Sequence, residues 1–257
     1  MATQRTFKYS GMIAPGSLIH SPVTGAPDGS LVPPNYVDTP WGTIPQYAAT
    51  VRGTFNGYDP ANDCFGYYMS NKYQVNNNCY AYATLICPNT FPQPGRATTG
   101  SVDFWSALAN FTPQNVMNNA VLDGLVYVGT TISDIQAYAS KKLPGHFVAL
   151  MFSAPESNIG GDPNANWPGD YHWARCDDTV NFASWSQKDG NDQVTNFDFA
   201  GNPITNPATA NWRVNQGPIN PTQPGVIPPP GSDNNEYIVT YDFLCFMFVP
   251  STGVNII

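Results

Sequence analysis

Residues 76–88 read Asn-Asn-Asn-Cys-Tyr-Ala-Tyr-Ala-Thr-Leu-Ile-Cys-Pro. An asparagine side chain accepts a hydrogen bond from the free N–H groups of a first helical turn, and proline cannot continue a helix. The stretch therefore predicts a short buried helix over 78–87, stopped at Pro88. Toward the C-terminus, Ser101 stands before VDFWSALANF, in which Val102, Trp105 and Leu108 or Ala109 share one helical face. Thr112-Pro113 pairs an N-cap with proline at the first helical position and opens a helix that Gly124 closes. LVYVGTT (125–131) reads as a strand, and SDIQAYASKK (133–142) as a helix ended by Pro144-Gly145.

Beyond that point the hydrophobic period becomes strand-like. HFVALMFSA (146–154), YHWARCDD (171–178) and VNFASWSQ (180–187) are short apolar runs, with KDGND (188–192) as a turn. EYIVTYDFLCFMFVP (236–250) is apolar on both faces and predicts one central strand covered on both sides. Helices first and antiparallel strands after give an α+β architecture. Residues 1–70 are rich in Gly, Pro, Ser, Thr and Asn and read as an irregular arm packed on the core. Residues 71–257 form the α+β domain, interrupted by a proline-rich loop at 201–235 that carries Pro228-Pro229-Pro230. A loop of that length is either functional or a contact surface.

Composition narrows the function. The chain has 257 residues, enough to bury a sizeable core. Charged residues make up only 11%, with a net charge of −8, and ten Lys and Arg cannot form a phosphate-neutralising stripe. Nucleic acid and anionic membrane surfaces are therefore not the expected partners. The segment Tyr237 to Pro250 is too short to span a bilayer, and the first twenty residues show no continuous apolar run of the secretory kind. The expectation is a soluble protein, with an extracellular or particle-associated setting favoured by composition. Five cysteines without a CxxC pair argue against a disulfide framework and leave at least one thiol unpaired within the monomer. No ligand spacing for zinc, no calcium loop and no phosphate loop is present, so neither metal nor cofactor is expected.

Chemistry, if present, centres on one cysteine and two histidines. Cys79 stands where a helix begins, a position that favours thiolate and supplies N–H groups for a developing oxyanion. His146 opens the HFVALMFSA strand, and His172 opens the next one. The roles would be Cys79 nucleophile, His146 general base and acid, His172 orienting group, and Gln74 a second oxyanion donor. Asp177 or Asn181 is an alternative third member. The bland alternatives are equally definite: a free cysteine is often a small buried filler, and an imidazole in an apolar strand is often a satisfied core group.

The order of cysteine on a helix, histidine on a strand and polar residue on the next strand resembles the papain-like cysteine peptidase and amidase superfamily. Cys79-Tyr80-Ala81-Tyr82-Ala83 is similar to its Cys-Trp-Ala-Phe-Ser stretch, and His146-Phe147-Val148-Ala149-Leu150 to its His-Ala-Val strand. The spacing is closest to the compact CHAP and NlpC types. The resemblance covers about residues 74–190. It implies a papain-like core with a catalytic helix packed on an antiparallel sheet, and a thiol-dependent hydrolase cleaving peptide or isopeptide bonds of a peptide or protein substrate. The second reading is a structural protein, a particle or surface-layer component that self-assembles or binds a protein partner through its proline-rich arm and loop. Low charge and many Tyr and Asn residues favour that reading.

Overall fold

A computed structural model describes residues 10–12, 36–39, 42–45, 68, 77–86, 88, 91–100, 110–159, 166–190, 194–218 and 236–257. The expected helix after Ser101, Gln74 and most of the 1–70 arm lie outside the described residues. Within the arm, strands β1 (Tyr36–Thr39) and β2 (Gly42–Pro45) form an antiparallel pair.

The helix at Cys79 forms as the sequence requires, but shorter. Helix α1 spans Cys79–Thr84, with the Asn78 side chain accepting from the Ala81 N–H. It ends at Leu85, which adopts a left-handed backbone (φ 57°) and donates its N–H to the Tyr82 carbonyl, ahead of Pro88. A one-turn helix, α2 (Arg96–Thr99), lies between glycines at 95 and 100 and has no apolar period that would announce it. Helix α3 (Pro113–Leu122) carries the expected Thr112 cap and N-terminal proline. After strand β3 (Val126–Gly129), helix α4 (Ile132–Ala139) begins with a capping box in which Thr131 and Asp134 satisfy each other's backbone donors.

Strands β4 (Gly145–Ser153), β5 (Asp170–Cys176), β6 (Trp185–Lys188) and β7 (Val194–Thr195) then follow in antiparallel succession. Strand β8 (Arg213–Pro218) occupies part of the expected 201–235 loop and pairs with β9 (Glu236–Thr240) in a separate two-stranded sheet. The long C-terminal run is thus two strands, not one. It breaks at Tyr241, and β10 (Asp242–Pro250) enters the main sheet between β3 and β4. That sheet has the order β3-β10-β4-β5-β6-β7. Mixed helix and antiparallel sheet bear out the α+β class.

Strand alternation sorts the side chains onto two faces. On one face Tyr171, Trp173 and Arg175 of β5 meet α1: the Tyr80 and Trp173 rings lie 5.1 Å apart, and the Arg175 guanidinium sits 4.5 Å over the Tyr82 ring. On the other face His172 meets Phe199, Trp212 and Tyr241, at ring separations of 5.5, 5.4 and 5.9 Å. All seven residues of β5 are buried, so this strand is the spine of the core. Replacing the fully buried Trp173 by alanine should therefore cost about 3–5 kcal/mol of unfolding free energy, read as a lower urea midpoint.

Candidate functional site

Helix α1 presents Cys79 to the end of β5 where the strand begins. The thiol is fully buried and donates to the Tyr171 carbonyl at 3.8 Å. Burial pushes its pKa well above the ordinary thiol value, and the negative charge of Asp170 pushes it further. The N–H of Trp173 and the charge of Lys188 act the other way and do not prevail. Cys79 is therefore a neutral thiol, not the thiolate that a helix start alone would favour.

The imidazoles do not gather around it. His146 lies on the α1 face, but its Nε2 is bonded to the Ala83 carbonyl at 2.7 Å, at the far end of the helix. Cys79 sits at Tyr171, which pairs with Phe152. Ala83 lies four residues, about 6 Å of helix rise, beyond Cys79, so the ring is spent on a carbonyl one turn away from the thiol. Burial lowers the His146 pKa to about 4, against the Ala83 bond, with Arg175 lowering it further. The ring is neutral near pH 7 and cannot act as the imidazolium of an ion pair. His172 points from the opposite sheet face, where its Nε2 meets Gln187 Oε1 at 2.6 Å. One position in the strand period separates Tyr171 from His172, and that parity sends the imidazole away from α1.

The remaining expected participants are also placed elsewhere. Asp177 accepts from Arg175 at 2.9 Å, and Asn181 lies in the exposed turn after β5. The N–H groups expected to hold an oxyanion are engaged within the fold: Cys79 N–H donates to the Ser10 carbonyl and Ala81 N–H to Asn78 Oδ1. Cys245 is buried in β10 with its pKa raised to about 12, and Cys176 is likewise raised by burial. Among the described residues no group of three or more His, Cys, Asp and Glu side chains could hold a metal ion.

What the fold does assemble beside Cys79 is a socket for the chain's own N-terminal segment. The buried Asp170 carboxylate accepts five hydrogen bonds. Gly11, Met12 and Tyr171 donate their N–H groups to Oδ1 at 3.2, 2.8 and 2.8 Å. Ser10 N–H and Tyr241 Oη–H donate to Oδ2 at 2.6 and 2.8 Å. The Gly11 carbonyl in turn accepts from Asn78 Nδ2 and Gln93 Nε2 at 2.8 Å each and from Tyr171 Oη at 3.0 Å. Ser10 Oγ bonds Asp189. Gly11 is required here: a Cβ would overlap the Tyr171 ring. The sequence alone places Asp170 in an Asp-rich, solvated turn and gives Gln93 and Tyr171 no role, because their partners lie far away in the chain; Asp170 is instead fully buried. The one available signal was the small Ser10-Gly11 pair inside an otherwise irregular arm.

Comparison with curated proteins finds similarity to "Insoluble matrix shell protein 1" of Ruditapes philippinarum, 32% identical over 138 residues, which is 53% of this chain and 72% of that protein. No family model matches the chain. No solved structure matches it either.

Burial raises Asp170 from 3.8 to about 7 despite its five donors, and raises Asp123 to about 6. A carboxyl with a raised folded pKa holds its proton in the folded state while the unfolded chain has lost it, so stability falls as pH rises from about 4 to about 7. His146, depressed from 6.5 to about 4, has the opposite sign and costs stability as pH falls through that window. Two carboxyls outweigh one imidazole. Urea unfolding should therefore give greater stability at pH 5 than at pH 7.5, and Asp170→Asn should flatten most of that slope while lowering stability at both pH values.

Proposed function

The chain belongs to the same family as insoluble matrix shell protein 1, and from that membership we propose that it is a structural, self-assembling protein of an extracellular or particle-associated matrix, working without turnover. The observation that carries this reading is the state of Cys79. A nucleophile needs a reachable base and an accessible sulfur; this thiol is fully buried, neutral, bonded to a backbone carbonyl and covered by Ser10–Met12.

Composition supports the same reading. Charged residues are sparse at 11%, so most contacts between copies would be made by uncharged groups, while the net charge of −8 is a repulsion that salt must screen. The buried polar side chains Asn78, Gln93, Asp170 and Lys188 are spent on holding backbone segments together. Among the described residues no helix is long and apolar enough to cross a membrane. The partner under this reading is a second copy of the chain or another matrix protein, not a peptide substrate.

Two measurements test it together. Iodoacetamide at pH 6 and pH 8 should leave Cys79 of the native protein unmodified and label it only after denaturation. Purified protein at rising concentration should form sedimentable assemblies, and Cys79→Ser should assemble to the same extent. Rapid labelling of Cys79 at pH 6, together with hydrolysis of a peptide substrate that Cys79→Ser abolishes, would restore the thiol-hydrolase reading and overturn this one.

A further inference from the structure

We infer that copies of this chain pair through one end of the six-stranded sheet, where the α4–β4 turn (140–144) and the β5–β6 turn (177–184) lie side by side, and that the partner on this surface is the same surface of a second copy. This rests on the self-assembly reading above and names the contact from which assembly starts.

Register fixes which residues reach that end. Val126 pairs with Phe248, Phe248 with Phe147, and Val148 with Arg175, so β3 and β4 begin where β10 and β5 finish. The four strand ends form a row about 14 Å wide, at roughly 4.8 Å between neighbours. Among the described residues, six of the seven exposed large apolar side chains stand at this end. Val121 and Leu122 lie where α3 stops, Val126 and Tyr127 where β3 starts, Leu143 before β4 and Val180 after β5. Val180 is 78% exposed and Leu143 50%. Apolar side chains gathered in this way mark a contact surface, whereas single scattered ones do not.

Charge decides the occupant. Lys141-Lys142 is the one adjacent basic pair in a chain with ten Lys and Arg and a net charge of −8. Lys141 Nζ sits 4.0 Å over the Tyr138 ring, which packs on Phe147 and Phe248, so this cation is anchored to the core. Lys142 follows it, exposed and with a left-handed backbone (φ 52°). In the neighbouring turn Asp178 accepts the N–H groups of Val180 and Asn181 at 3.0 Å each. The Asn181 bond holds its carboxyl below the ordinary value, so it is ionised at neutral pH. Asp177 is spent on Arg175. Among the described residues neither lysine is ion-paired with a carboxylate.

This end is therefore basic with Leu143 on the β4 side, and acidic with Val180 on the β5 side. Such a surface is complementary to itself. A two-fold axis normal to the sheet, at the level of these strand ends, sets each lysine turn on the partner's Asp178 turn and Leu143 against Val180. The other two-fold, along the row of strand ends, would set lysine on lysine. Charge thus selects one of the two ways in which the apolar groups could meet.

The experiment is sedimentation velocity on the full chain, and wild type should show a dimer as its first associated species. Val180→Lys sets a cation against the partner's Lys142, and Lys142→Glu sets a carboxylate against the partner's Asp178. Each should raise the concentration needed for half-dimerisation about ten-fold. Both positions are exposed, so the urea midpoint should not move. An equimolar mixture of the two variants should pair again near the wild-type concentration, because every cation then faces a carboxylate. Variants that both dimerise like wild type, or a mixture that fails to recover, overturn this pairing while the matrix reading stands on another surface. Wild type that never associates overturns both.

Discussion

A carboxylate inside a protein core is tolerated only when its lone pairs are filled, since removing an unpaired charge from water costs several kcal/mol. Asp170 meets that condition with donors from three separate parts of the chain: the arm at Ser10–Met12, its own strand at Tyr171, and the β9–β10 junction at Tyr241. None of the three could satisfy it alone. The arm therefore docks where it does because the carboxyl must be covered, and Tyr241 breaks the C-terminal apolar run at the point where its hydroxyl reaches the same oxygen. The rest of the Cys79 environment follows. Once the arm is seated, its Ser10 carbonyl takes the Cys79 N–H, and the sulfur is left with the Tyr171 carbonyl.

The same constraint decides between a chemical and a structural cysteine. The residues that surround Cys79 would make a reactive centre if any of them were free to titrate against it. Instead the nearest negative charge raises its pKa, and the cation that could lower it, Lys188, is held by the Gly190 carbonyl at 2.7 Å and by the Asn77 carbonyl. The imidazoles are held away by two different facts: the bond to the Ala83 carbonyl for His146, and strand parity for His172. For His172 no rotamer change would suffice, because the strand would have to slip its register and so reverse its buried face.

Much of the fold was legible because it depends on local rules. Asn78, Thr112-Pro113 and the short apolar runs at 146–154 and 171–178 carry their own instructions in caps and composition, and the elements form there. The errors came where local pattern is silent. EYIVTYDFLCFMFVP has no breaker at Tyr241, so its division between two sheets depends on a long-range hydrogen bond. Residues 213–218 looked like loop because they sit among prolines, yet they find β9 as a partner. The alternation within YHWARC was readable, and it separates His172 from Tyr171, Trp173 and Arg175. Which of those two faces would receive α1 was not, since that choice depends on how Tyr80 and Tyr82 pack. The socket was the least legible part, because Asp170 and Ser10 stand 160 positions apart.

Around Ser10–Met12 the buried polar groups are arranged differently from those of a catalytic cleft. In a catalytic cleft, buried donors and acceptors are arranged around a space that a substrate will fill, and they stay under-satisfied until it arrives. Here Asn78, Gln93 and Tyr171 converge on a peptide carbonyl of the protein itself. The recognition surface is already occupied, and its ligand is a stretch of main chain. A site of that kind cannot discriminate a foreign side chain, but it can distinguish backbone that has glycine at its centre from backbone that does not, because the Tyr171 ring fills the space a Cβ would need. Specificity resides in that exclusion. It admits the chain's own Gly11 and excludes any residue that carries a side chain there.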